Sequence, residues 1–319
     1  MTMTRKENLV RAIRRERPAW VPYRYDGSLT MLLPAINSRP RAGGVDDWGV
    51  RWIATGTEEG SYPEDRAYLR IEDVGTFRAP DLDWTAITAD LKARVAQHAA
   101  EDTLIIARNE MLLFERAKYL LGTAEGLMAF LAEPERMHAL LDVMTTFQIQ
   151  LAHAIMKSGI GGIRFTDDWG TQNALFIHPD LWRTFIKPRQ KSINDVVKQY
   201  GGYVFQHSCG HIAELVPDLI EIGVDVLDPC QPASNDIFRW KREYGERLSF
   251  MGGLDTQGYL TFGTPEEVES SVSRVAEVMA RGGGYIAAPS HTITLPEANR
   301  AAMLRGIARA SVALDNRRT

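Results

Sequence analysis

The pentapeptide His207-Ser208-Cys209-Gly210-His211 places two soft metal-ligand types two residues apart, directly after the apolar run Tyr203-Val204-Phe205. That run reads as a buried strand, so the ligands fall where a strand gives way to a loop. Residues two apart in a strand point to the same side, and His207 and Cys209 can therefore converge on one point. Imidazole nitrogen and thiolate sulfur together suit Zn²⁺, with cysteine binding only as the thiolate. A third ligand must come from elsewhere. His291, in Ala288-Pro289-Ser290-His291, ends a second apolar run; Cys230, in Asp228-Pro229-Cys230-Gln231-Pro232, competes with it. His98, His138 and His153 fall within helical periods, and His211 stands close to the next helix start. Without a third ligand, His207 and Cys209 are a buried polar pair satisfied by backbone groups.

Other chemistry-bearing residues cluster at strand ends. Asp167 and Asp168 follow Gly162-Ile-Arg-Phe-Thr166 and precede Trp169-Gly170. Adjacent strand residues point oppositely, so one of the two should face a site, and Asp167 is the expected one. It could take up a proton or hold a histidine, or else cap the following turn. Arg24 and Arg108 could clamp a substrate carboxylate in a bidentate fork or pair with a neighbouring acid. Asp26, Asn109, Asp168 and Asp255 complete the set as substrate-binding candidates. The glycines of Gly252-Gly253-Leu254-Asp255-Thr256-Gln257 permit close backbone approach to a ligand, but no Walker lysine follows them.

The elements that must position these residues alternate along the chain. Strand-like segments at Val21–Tyr25, Thr103–Ala107, Gly162–Thr166, Tyr203–His207, Val224–Leu227, Leu248–Met251 and Tyr285–Ala288 are separated by helical periods. Among the helices are Arg5–Ile13, with Leu9, Ala12 and Ile13 inward, and Pro265–Arg281. Seven strands are counted and an eighth is left open. This order predicts an α/β fold, a (β/α)₈ TIM barrel, rather than an open doubly wound sheet; no dinucleotide fingerprint follows the first strand. In a barrel the strand ends form one mouth, and the scattered polar residues become one basin. The irregular segment Arg41–Asp73, with Trp48, Trp52 and Glu58-Glu59-Gly60, is expected to be a loop or small hairpin partly lidding that mouth.

Composition narrows the class. The 319 residues are 45% hydrophobic and 24% charged with a net charge of −4, so nothing draws the chain to nucleic acid or an anionic membrane. Two cysteines make a disulfide framework improbable and fit a reduced, cytoplasmic compartment. There is no signal-peptide core and no apolar run of membrane-spanning length. No linker divides the chain, which predicts one domain over 1–319.

Taken together, these motifs resemble the uroporphyrinogen decarboxylase superfamily, and within it the zinc-dependent, corrinoid-linked methyltransferases. The likeness runs nearly full length. It rests on the opening Arg5–Ile13 with Arg17-Pro18 and Val21-Pro22, then Asp47-Trp48-Gly49-Val50, Asp167–Gly170 and His207–Gly210. Leu227-Asp228-Pro229, Gly252–Gln257, and Gly282–Ile286 with Ala288–His291 carry it further. The resemblance implies a single distorted (β/α)₈ barrel. It also implies His207 and Cys209 as zinc ligands and a corrinoid supplied by a partner protein. In that branch the third ligand is usually a cysteine after the last strand. Here that loop holds His291, so His291 replaces the thiolate, a carboxylate does, or zinc is absent. The implied activity is methyl transfer between a small methoxylated or methylamine-type compound and the corrinoid protein. One alternative is decarboxylation of a tetrapyrrole or related acid, with Asp167 or Asp26 on pyrrole N–H groups. The arginine-rich signature of such decarboxylases is missing, and Tyr23-Arg24-Tyr25-Asp26 echoes it only in part. A non-catalytic small-molecule-binding barrel is the second alternative.

Overall fold

Alternation of apolar side chains builds the sheet of this computed structural model, which describes residues 3–56 and 60–316. The strands are β1 Leu29–Leu32, β2 Gly44–Val45, β3 Arg51–Ala54, β4 Ser61–Pro63, β5 Leu104–Asn109, β6 Gly162–Thr166, β7 Tyr203–His207, β8 Val226–Asp228, β9 Ser249–Leu254 and β10 Tyr285–Pro289. Seven of them form one curled sheet in the order β1-β5-β6-β7-β8-β9-β10, parallel throughout. A parallel bridge between Tyr23 and Ala287 brings the chain start back to the last strand. Ala287 N–H donates to Pro22 O at 2.8 Å, and Arg24 N–H to Ala287 O at 3.0 Å. The fold is thus the expected α/β barrel type, with the eighth position held by a single bridge.

The first strand departs from expectation. Val21–Tyr25 does not form a ladder, and β1 takes its place in the sheet. Pro22 has no N–H to give. The Asp26 carboxylate then accepts from Tyr23 N–H and Ser28 N–H, turning the chain through Gly27 at φ 86°. Pairing resumes only beyond that turn.

Two faces of the same strands carry two apolar sets. Ile106, Phe205, Val226, Met251 and Ile286 pack inside, joined by Leu9 and Ile13 of helix Arg5–Ile13. Their neighbours Ala107, Val204, Leu227, Phe250 and Ala287 pack outward against the helices. Continuing the inner parity by two residues reaches Arg108, His207, Asp228 and Ala288, and Arg164 and Thr166 share it on β6. The inner face is therefore apolar low in the sheet and polar at the C-terminal strand ends. That is where the site forms.

The segment expected to lid the mouth is a three-stranded antiparallel sheet, β2-β3-β4. It is anchored by indoles: Trp52 Nε1 donates to Asp46 Oδ2 and Trp48 Nε1 to Asn37 Oδ1, while Arg116 pairs with Asp46 in full burial. Glu58 and Glu59 lie outside the described residues.

Candidate metal and active site

A cavity of about 510 Å³ opens at the C-terminal strand ends. Its floor carries Arg164, His207, Cys209 and Asp228; Arg24, Arg108 and Glu115 stand on its walls, and Ser61 and Tyr62 come from the lid.

At its soft pole, Cys209 Sγ lies 3.3 Å from His207 Nε2 and 3.6 Å from His291 Nε2. Asp168 Oδ1 is 3.8 Å from His207 Nε2 and accepts the Cys209 N–H at 2.8 Å. Ligand atoms of Asp168, His207 and Cys209 all fall within 4.8 Å of one another. Around tetrahedral zinc, such ligands stand roughly 3.3–3.6 Å apart, so His207 and Cys209 are already at ligand spacing and Asp168 needs only a small approach to complete a donor set of the right chemistry. His291 approaches Cys209 but stands outside the mutual cluster. Cys230 does not approach: it is buried, and its thiol donates to Leu227 O.

Beneath the ligands lies a buried ion pair. Arg164 Nε contacts both Asp228 oxygens at 3.1 Å, and its Nη2 reaches Oδ2 at 2.6 Å. His207 Nδ1 is 2.9 Å from Asp228 Oδ2 and 2.6 Å from Arg164 Nη2. Burial alone would raise the Asp228 pKa, but Arg164 and His207 outweigh it and hold the carboxyl well below the usual range. Burial, and then the charges of Asp168, Asp228 and Glu115, push the Cys209 thiol far up. Without a cation to bind, this sulfur keeps its proton.

The paired aspartates correct the expectation made from sequence. Asp167 is fully buried and accepts backbone N–H groups of Leu113, Phe114 and Glu115, capping the helix Phe114–Leu121, together with the Trp169 indole. It is Asp168 that lines the cavity. The helix start, brought in by the fold, claims the first carboxylate and leaves the second to the mouth.

The remaining candidates divide. Arg24 lines the cavity with its guanidinium over the Tyr25 ring at 5.0 Å. Arg108 lines it too, paired with Glu110 at 2.6 Å. Asp26, Asn109 and Asp255 do not line it. Asp26 holds the turn described above, Asn109 is buried between Asn37 and Gln148, and Asp255 accepts the Gln257 N–H. Arg164 and Glu115 are among the cavity residues that the sequence reading missed. Arg164 was visible as a lone charge inside an apolar strand. Glu115 lies in a helical stretch and gives no such signal; it is buried at the cavity wall, with Tyr119 O–H donating to Oε1 at 2.7 Å. Burial, and then the charges of Asp168 and Asp167, raise its carboxyl to about 8.

A curled parallel sheet with a His/Cys/carboxylate group at its C-terminal strand ends defines an α/β-barrel protein with a metal-capable mouth. The sequence profile of the Uroporphyrinogen decarboxylase (URO-D) family matches residues 54–308, and the chain belongs to that family. It is 27% identical over 210 residues to the methylcobamide:CoM methyltransferase MtbA of Methanosarcina mazei, covering 65% of this chain and 60% of that one. It is 26% identical over 175 residues to the uroporphyrinogen decarboxylase of Pseudoalteromonas translucida, covering 52% and 46%. The chain thus matches about half the length of these relatives. Among solved structures, a methyltransferase from Methanosarcina mazei superposes with a TM-score of 0.73 at 16% identity, covering 96% of this chain and 99% of that one. That likeness is one of fold. Among the described residues, no helix is long and apolar enough to cross a membrane.

Proposed function

We propose that this protein is a zinc-dependent methyltransferase moving a methyl group between a small methoxylated or methylamine-type compound and a corrinoid carried by a partner protein. The carrying observation is the convergence of Cys209 Sγ with His207, Asp168 and His291 at the open end of the sheet. Similarity to proteins named methylcobamide:CoM methyltransferase supports the same reading.

His207, Cys209 and Asp168 would hold the ion, with His291 placed to join them. When bound, zinc supplies Lewis acidity and an anchor for a soft sulfur. The chain's own residues set the rest. A free lone pair on His207 Nε2 requires the proton on Nδ1, and Asp228 is the acceptor placed for it. Arg164 Nη2 can donate to Nδ1 only in the other tautomer, so the ring state of His207 reports which arrangement holds. Asp168 fixes the Cys209 loop through its backbone N–H. Glu115, whose carboxyl burial shifts toward the protonated form, is placed as a proton source for a departing oxygen or nitrogen. Its O–H bond breaks as the bond to the leaving atom forms, and Tyr119 stays hydrogen-bonded to the other oxygen. Arg24 and Arg108 orient the small molecule from the wall.

Decarboxylation is less well served. It asks for a carboxylate turned toward pyrrole N–H groups, and Asp26 and Asp167 are both spent on backbone N–H groups.

The test is anaerobic mixing of the zinc-loaded protein with cob(I)alamin and a methoxylated or methylamine compound, or with methylcobalamin and the corresponding hydroxyl or amine compound, following the cobalt–carbon absorbance. Acceleration that disappears in Cys209→Ala is expected. No acceleration with any of these compounds overturns the proposal.

A further inference from the structure

The wall beneath the lid carries more cationic and donor capacity than the protein itself uses. Arg39 and Ser61 come from the lid side, Arg108 from the end of β5, and all three line the cavity. Arg39 Nε, Arg108 Nε and Ser61 Oγ are each buried and without a hydrogen-bond partner among the described residues. Buried donors are ordinarily paired, and three orphans on one wall point to a missing acceptor. Glu110 organises the wall and neutralises only part of it. Its Oε1 pairs with Arg108 Nη2 at 2.6 Å, and its Oε2 accepts the Arg39 backbone N–H at 3.2 Å. Arg41 lines the same wall. Burial lowers the pKa of Arg108, and after the opposing Glu110 the charges of Arg164, Arg39 and Arg41 lower it further. The guanidinium groups thus repel one another, and an anion seated among them would relieve that repulsion.

We infer that Arg39, Arg108 and Ser61 form an oxyanion notch, and that the small molecule entering this cavity carries a carboxylate, sulfonate or phosphate group bound there. A planar guanidinium matches such groups through paired N–H donors, and the Ser61 hydroxyl adds a third. The wall is joined to the ligand cluster through the floor: Arg108 registers with Arg164 across β5 and β6, and Arg164 touches His207. A molecule anchored by its anion can therefore extend its other end toward Cys209. This last step rests on the proposed methyl transfer; the anion notch does not.

Calorimetric titration with 4-methoxybenzoate, 4-methoxybenzenesulfonate and inorganic phosphate tests the notch, with neutral 4-methoxybenzamide as control. The expected result is at least tenfold tighter binding of one or more of the anions than of the amide. That preference should be lost in Arg39→Leu and weakened in Ser61→Ala, which removes a hydroxyl without touching the charge and so remains informative if Arg39→Leu folds poorly. The three anions distinguish which oxyanion fits. Cys209→Ala should keep the preference. Equal binding of the amide and every anion, or a preference unchanged in both variants, overturns the inference. A preference that persists in a protein showing no methyl transfer would sink the activity and leave the notch standing.

Discussion

Replacing Asp228 by Asn keeps the side chain's shape and removes the counter-charge of a buried guanidinium. The side chains of Arg164 and Asp228 are only 10% and 6% exposed, and three contacts of 2.6–3.1 Å join them. Breaking a buried pair by removing one partner costs about 3–5 kcal/mol, because the remaining charge stays desolvated. An unfolding entropy near 2.1 cal/mol/K per residue, over 319 residues, gives about 0.7 kcal/mol per degree, so Tm should fall by roughly 4–8 °C. The folded pKa of Asp228 is depressed, so its contribution is present above the ordinary carboxylate range and fades only as pH falls through the lowered value. The drop in Tm should accordingly be undiminished at pH 7. Asp228 Oδ2 also lies 2.9 Å from His207 Nδ1 and is its acceptor in the tautomer that frees Nε2 for zinc, and losing such a partner weakens metal affinity about 10–100-fold. Thermal melts and chelator competition read the two effects separately. Adding Arg164→Met to Asp228→Asn should restore most of the stability and none of the zinc affinity. A single variant that melts within 1 °C of wild type, as a rough limit, and binds zinc unchanged refutes the reasoning.

Glu115→Gln should change how stability depends on pH. A raised carboxyl contributes stability below its unfolded value of 4.5 and loses it as pH rises toward about 8, a difference of at most roughly 4–5 kcal/mol. Denaturant melts at pH 5 and pH 8 should show that slope in wild type and not in the variant; identical slopes contradict it. Asp167→Ala should cost about 2–4 kcal/mol by stripping three backbone N–H groups of their acceptor while leaving zinc content intact. Asp168→Ala should do the reverse, and metal analysis beside a melt decides between them. A single calorimetric transition is expected if the barrel and its lid unfold as one domain; two resolved transitions contradict that.

The sheet was legible because its strands alternate with helices and carry their apolar residues in short, turn-bounded runs. His207 was legible for the same reason, and the two-residue spacing brought Cys209 to the same side just past the strand end. Strand parity separates Asp167 from Asp168 but cannot say which one faces the mouth. That choice was made by the start of helix Phe114–Leu121, some fifty residues earlier, whose unpaired N–H groups took Asp167. β1 was missed because Pro22 and the Asp26–Gly27 turn move the ladder past the segment with the strand-like run. Glu115 and Ser61 lie outside the barrel strands and reach the cavity only through tertiary placement, which no local period encodes.

Zinc content of the freshly purified protein, measured beside Cys209→Ala, tests the metal centre most directly. The convergence of Cys209 with His207, Asp168 and His291 predicts about one zinc per chain in the wild type and almost none in the variant. A wild-type protein that takes up no zinc even when supplied with it, or a Cys209→Ala protein that holds zinc as tightly as wild type, contradicts it.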